Sequence, residues 1–236
     1  MAGFVFCFCC CALVFTASFG QNVSDILHQM TQSQGEINTY YAKIKTTTVF
    51  NKQAFTVYSR IYKKGNDKSR IENDLPTGGK QILITNNGKC SMTSPMLKTP
   101  VVKDVGSTST QVDRSQEISD FLNNVKDNTL AIVHDFGSGR YELLGESKGG
   151  DTRVHCVDFI IDVNKKCIEE LKLKDKNNEI LAEYIISSVK IKNMWTVNKM
   201  IITSNSNNGM AIKIDIDYEN IKINEEMNES LFFING

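Results

Sequence analysis

The 236-residue chain carries 27 Lys and Arg against 27 Asp and Glu, with 41% hydrophobic and 8% aromatic residues, three prolines and one tryptophan. A chain of that length can hide about 70% or more of its unfolded surface, so a core can form without disulfides. Zero net charge offers no concentrated cationic surface for nucleic-acid phosphates, and the mixed composition excludes collagen, coiled-coil and low-complexity classes.

The amino terminus departs from this average. Of residues 1–20, 16 are hydrophobic and none is charged. The apolar run Phe4–Phe15 is shorter than the roughly 20 residues that span a bilayer, and Ser18-Phe19-Gly20 sets small residues at the −3 and −1 positions before Gln21, as signal peptidase requires. Residues 1–20 are expected to be a secretory signal, although its n-region lacks Lys and Arg, and residues 21–236 one soluble exported domain. Four of the seven cysteines fall in the signal. Cys90, Cys156 and Cys167 remain, an odd number. A turn at Asp162–Lys166 would set Cys156 opposite about Leu173 rather than Cys167, so free thiols are expected.

After the signal, Ser24 or Asn22 can cap a short helix whose Ile26, Leu27 and Met30 recur at helical spacing over 24–33. The period then changes to two. Tyr40, Ala42, Ile44, Thr46, Thr48 and Phe50 fall on one face, Asn51-Lys52 turns the chain, and Phe55, Val57 and Ile61 continue the alternation. Strands around Arg70-Ile71-Glu72 and over Gln81–Thr85 follow, giving four strands of a meander by residue 94. Residues 94–112 hold two prolines and a Ser/Thr run and are expected to cross the surface as a loop. Asp113 and Gln116 resemble a capping box, after which Ile118, Phe121, Leu122 and Val125 form one apolar stripe of a helix over 115–126.

The remainder reads as strands at Leu130–Phe136, Tyr141–Gly145, Thr152–Ile161, Cys167–Leu173, Ile180–Ile191, Lys199–Ser204 and Gly209–Ile223. In the last, Met210, Ile212, Ile214, Ile216 and Tyr218 alternate with Lys213, Asp215, Asp217 and Glu219. The alternation assigns the former set to a buried inner face and the charged set to water. The apolar phase shifts by one before Ile221 and Ile223, which predicts a β-bulge near Glu219–Asn220. Strand follows strand through short turns, so the sheet must be antiparallel. The fold class is mainly β with a few helices: about eleven strands in one strongly curved sheet or incomplete barrel, with the amphipathic helices as its cover.

Tyr141–Lys148, Val157–Asp162 with Lys165–Leu171, the hairpin through Lys174–Leu181, Ile191–Met200 with its Trp195 turn, Met210–Ile223 and Glu229–Phe233 follow one another as in a known group. In that succession the chain resembles the LolA-like proteins, the outer-membrane lipoprotein-sorting family. It departs from them at Cys90-Ser91-Met92, where aromatic residues are usual, and at Val197, where the family has proline. The resemblance implies an incomplete barrel with a helical lid, whose apolar cavity carries the acyl chains of lipoproteins or lipids across the periplasm. It further implies transient contacts with a membrane transporter and an outer-membrane receptor. Ile118, Phe121, Leu122 and Val125 would then be lid residues, Ile212, Ile214 and Ile216 cavity wall, and Phe232 a plug or filler of the barrel. The alternative is an envelope sensor of the same fold that binds lipid or lipoprotein and signals through a protein partner.

Enzymatic chemistry finds little support. His28, His134 and His155 lie on separate elements, there is no nucleophile elbow, and Gly137-Ser138-Gly139 reads as a turn rather than a phosphate loop. No closely spaced Cys/His set suggests a metal, so neither a catalytic residue nor a cofactor is expected. Asp215, Asp217 and Glu219 read as a solvated strand face.

Overall fold

A computed structural model describes residues 22–32, 35–106, 125, 129–148, 153–205 and 211–234. Residues 1–20, expected as a signal, and Ile118, Phe121, Leu122 and Met210 lie outside these residues, as does the expected 115–126 helix except for Val125.

One helix, α1 (Val23–Thr31), precedes the strands. Asn22 is its cap, the side-chain oxygen accepting from the Asp25 N–H at 2.9 Å. The first run of strands is β1 (Thr39–Phe50), β2 (Gln53–Lys64), β3 (Lys68–Asp74), β4 (Lys80–Asn86), β5 (Lys89–Thr93) and β6 (Val101–Asp104). The second is β7 (Ala131–Gly137), β8 (Arg140–Glu146), β9 (Cys156–Asp162), β10 (Cys167–Lys174), β11 (Ile180–Ile191), β12 (Met194–Asn205) and β13 (Ala211–Ile223). All thirteen form one antiparallel sheet in the order β6-β5-β4-β3-β2-β1-β13-β12-β11-β10-β9-β8-β7. Two meanders therefore meet at the β1–β13 pair. Because β6 and β7 stand at opposite ends, the sheet does not close into a barrel.

Thirteen strands exceed the expected eleven: β5 and β6 extend the first meander, and β6 lies inside the stretch read as a loop. Val125 forms an isolated antiparallel bridge to Ser147, so the chain is extended there rather than helical. The bulge expected near Glu219–Asn220 is present. Tyr41 pairs with Lys222 but Lys43 with Glu219, one residue too many on β13, and Asn220 has φ +51°. Turn residues explain the hairpins. Asn51-Lys52 and Asn87-Gly88 adopt positive φ, as two-residue hairpin loops demand. At Gly88 a Cβ would also meet the Gly106 carbonyl at 2.9 Å.

Strand register sorts the side chains onto two faces. The inner face, on which α1 packs, has a core in which Ile26 and Met30 are buried with Tyr141, Leu143, Val157, Phe159 and Ile161. A second core sits where the two meanders meet and joins Tyr40, Ala42, Met194 and Ile223. The outer face of the first meander is crossed by the carboxyl-terminal segment, which ends in a 3-10 helix at Glu229–Phe232. Lys64 donates to the Met227 carbonyl, Arg70 to Leu231 and Asn86 to Phe232, while Lys64 and Lys68 both pair with Glu229.

Arg70 is itself oriented by Glu72, whose buried carboxylate accepts from its Nε at 2.8 Å and lies near Arg60 and Lys80. Burial pushes the Glu72 carboxyl up, but the Arg70 hydrogen bond and the three cations outweigh it and hold the group below its ordinary range. A folded value below the unfolded one, near 4.3, gives a stabilisation that is complete above about pH 4.3 and drains away as pH falls through the lower folded value. Glu72→Gln should cost about 1–3 kcal/mol at neutral pH and flatten the acid limb of the stability curve. Denaturant melts from pH 7 to pH 3 check this; an unchanged acid limb would remove Glu72 from the account.

Candidate functional site

The inner face offers a continuous apolar surface. Phe55, Thr48, Ile214, Ile202, Tyr184, Leu171, Phe159, Leu143 and Ile132 stand opposite one another in turn across nine strands. A parallel row runs Val57, Thr46, Ile216, Met200 and Ile186. Burial along the first row is graded. Phe159 and Leu143 are 1% and 0% exposed within the α1 core, Ile214, Ile202 and Tyr184 are half-buried, and Phe55 is 58% exposed.

The outer face of the same strands is charged. Lys174 pairs with Asp158 at 2.7 Å, Lys172 with Glu170 and Glu183, Lys199 with Asp217 at 3.2 Å and Lys213 with Asp215 at 3.5 Å. The Glu170 hydrogen bond, followed by the pull of neighbouring carboxylates, raises the Lys172 ammonium above its ordinary value. Where the sheet turns into β10, Lys165 binds Glu169 and Asp162, which raise it further, and its ammonium lies 5.7 Å from the Trp195 ring centre. These pairs keep one side of the sheet wet and leave the other to apolar contact.

Ile212, Ile214 and Ile216 point to the inner face as alternation requires, but they are half-buried rather than buried and belong to neither core cluster. Val125 is 4% exposed and packs with the α1 core, so close to Gly145 that a Cβ there would meet its Cγ1 at 2.5 Å. Phe232 is fully buried, but against β3 and β4 on the outer face. It fills the docking site of the carboxyl-terminal segment, on the opposite side of the sheet from the three isoleucines. Residues that alternation alone could have nominated, Met200, Ile202, Tyr184 and Ile186, complete the inner surface between them. Asn198 is the extra residue where Ser187 pairs with Lys199 but Ser188 with Val197, and its Oδ1 is buried with no hydrogen-bond partner among the described residues.

A separate groove of about 460 Å³ lies on the outer face between Tyr41, Tyr62, Lys43 and Lys222 and the segment Glu225–Leu231. The rings of Tyr41 and Tyr62 stand 5.0 Å apart, and burial raises the Tyr62 hydroxyl above its ordinary value. Chemistry-bearing side chains stay dispersed. His28 lies in the last turn of α1, His134 lies against Phe136 at 4.4 Å, Cys90 and Cys156 are free thiols, and Cys167 is buried.

If Phe232 is a structural anchor, Phe232→Ala should lower stability by about 3–5 kcal/mol, whereas Phe233→Ala, at a side chain 62% exposed, should change it by less than about 0.5 kcal/mol. Calorimetry on the two variants separates the roles.

No protein-family model and no curated protein sequence matches the chain. Solved structures do. A LolA superfamily protein from Nitrosomonas europaea superposes with a TM-score of 0.56 at 10% identity, over 91% of this chain and 98% of that one. A DUF1329 family protein from Desulfovibrio piger gives 0.59 at 15% identity, over 89% and 95%. A domain described as outer membrane lipoprotein-sorting, from Vibrio parahaemolyticus, gives 0.54 at 8% identity, over 89% and 94%. Near-complete coverage of both partners shows that this chain has the LolA-type fold, an open antiparallel sheet with a helix on its inner face.

Proposed function

We propose that the protein is a carrier that receives acyl chains of a lipoprotein or lipid on the inner face of its sheet and passes them between membrane partners across the periplasm. The observation that carries this reading is the apolar row across nine strands, half-buried at its centre, set against a charged outer face. Each CH₂ removed from water is worth about 0.8 kcal/mol, so a long acyl chain travels through water only under such an enclosure. The shared fold with a structure described as lipoprotein-sorting supports the same class of ligand.

In this reading residues 1–20 direct export, and amino-terminal sequencing of the exported protein should begin at Gln21. The stripe of Ile118, Phe121, Leu122 and Val125 would supply the lid, with Val125 as its anchor in the α1 core. The work is binding and release, with no bond made or broken, so no catalytic residue or cofactor is assigned.

Native mass spectrometry of protein taken from its own cell envelope should find bound lipid or lipoprotein. An empty protein, together with normal lipoprotein localisation on depletion, would falsify the carrier role. Ile214→Asp should weaken binding of a fluorescent acyl probe about tenfold or more, the equivalent of about 1.4 kcal/mol. Asp215→Asn, one residue along but on the outer face, should leave binding unchanged. Equal effects from the two would show that the inner face is not the ligand surface.

A further inference from the structure

The central hairpin outruns its neighbour. β2 pairs with β1 along its whole length, down to Phe50↔Gln53, but its pairing with β3 begins only at Ser59↔Asn73. Residues 53–58 therefore have β1 on one side and, among the described residues, no strand on the other. The segment Gln53-Ala54-Phe55-Thr56-Val57-Tyr58 holds no charge, proline or glycine, and Phe55 and Tyr58 are 58% and 55% exposed.

The two terminal edges of the sheet are blunted in ways this one is not. β6 is only four residues long and bears Lys103 and Asp104. β7 carries two register breaks, with His134 and Asp135 between them. Short length, charge and bulges are how sheets discourage edge-to-edge pairing. An uncharged, β-prone edge without them is a template for a further strand.

We propose that this edge is a self-association surface, on which two copies of the chain pair their β2 segments antiparallel about a twofold axis at Phe55. That register sets Phe55 against Phe55 of the second copy and Gln53 against Val57 on the inner face, with Ala54 against Thr56 on the outer. Lys52 of the second copy arrives beside the end of β3. There the carboxylate of Asp74, only 3.5 Å from Arg60 and partly exposed, can accept a second cation. The occupant is a second copy because the segment is its own complement: an isologous pair closes on itself and buries no lone charge. The contact is smaller than a standard stable interface, so the dimer is weak and concentration-dependent. Its consequence is geometric: the inner-face row that ends at Phe55 continues into the same row of the second copy, whichever ligand that face holds.

Sedimentation velocity from micromolar to near-millimolar protein should show a reversible monomer–dimer equilibrium, with hydrogen-exchange protection of residues 53–58 rising alongside the dimer. Phe55→Lys opposes two like charges on the axis and should leave a monomer throughout, with an unchanged melting temperature because the site is exposed; Thr56→Lys serves should that variant fail to fold. Lys52→Asp should weaken the dimer and the added Asp74→Lys should restore it. A monomer at every concentration, or a dimer indifferent to Phe55→Lys, overturns the proposal. Protection of residues 53–58 by an added extended peptide, with no dimer formed, overturns it as well.

Discussion

The pairing of β1 with β13 is the constraint on which the rest of the molecule depends. Every other ladder in the sheet joins strands adjacent in sequence and could form locally. This one brings together residues such as Tyr40 and Ile223, and such non-local closure must be met in chain entropy before its contacts are gained. Asn224 secures it. Its Oδ1 accepts from the backbone N–H groups of Asn38 and Thr39, its Nδ2 donates to Glu36, and its backbone N–H donates to the Thr39 carbonyl. Lys192 adds a bond to the Ile223 carbonyl. The second core, with Ala42 and Ile223 fully buried, lies over the same seam.

The bulge in β13 turns that seam into a switch of faces. Without the extra residue at Glu219–Asn220, Ile223 would point outward and Tyr40 would lose its neighbour. With it, the strand ends with its apolar side inward, and the chain leaves Asn224 toward the outer face. There Lys64, Arg70 and Asn86 hold the segment 227–232. One inserted residue thus decides that Phe232 stabilises the outside of the first meander rather than filling the inside of the sheet.

Side-chain alternation made most of this fold legible, and what it could not reveal was whatever backbone pairing alone decides. β11 matches its expected bounds, and the bulge in β13 was visible because five alternating apolar residues fix a phase that Ile221 breaks. β6 was not visible, since Val101–Asp104 has no alternation and exists through its ladder to β5. The register of β9 and β10 was missed by one residue: Cys156 faces Lys174 rather than Leu173, because a bulge between Ile168 and Glu170 displaces the ladder. Helical spacing likewise carried no information on the extended backbone at Val125, whose partner Ser147 is distant in sequence. Of the site, Ile212, Ile214 and Ile216 were legible as a row. Their incomplete burial was not, because a strand pattern reports which way a side chain points and not what lies over it.

What lies over them can be bounded by size. Nine strands at about 4.8 Å spacing make a row on the order of 38 Å across, whereas α1 has nine residues and is about 13 Å long. That helix covers the β8–β9 end, where burial is complete, and cannot reach Ile214 or Phe55. The rest of the row is open to another part of the chain, to a second copy or to a ligand. An aliphatic side chain and an acyl chain gain the same free energy per CH₂ on this surface. A cover of the kind expected from Ile118, Phe121 and Leu122 would therefore compete with a lipid on nearly equal terms. Near-equality would suit the proposed carrier: a ligand shifts such an equilibrium only by its differential affinity for the two states, so an apolar row slightly better matched to an acyl chain than to such a cover would load and unload without further input.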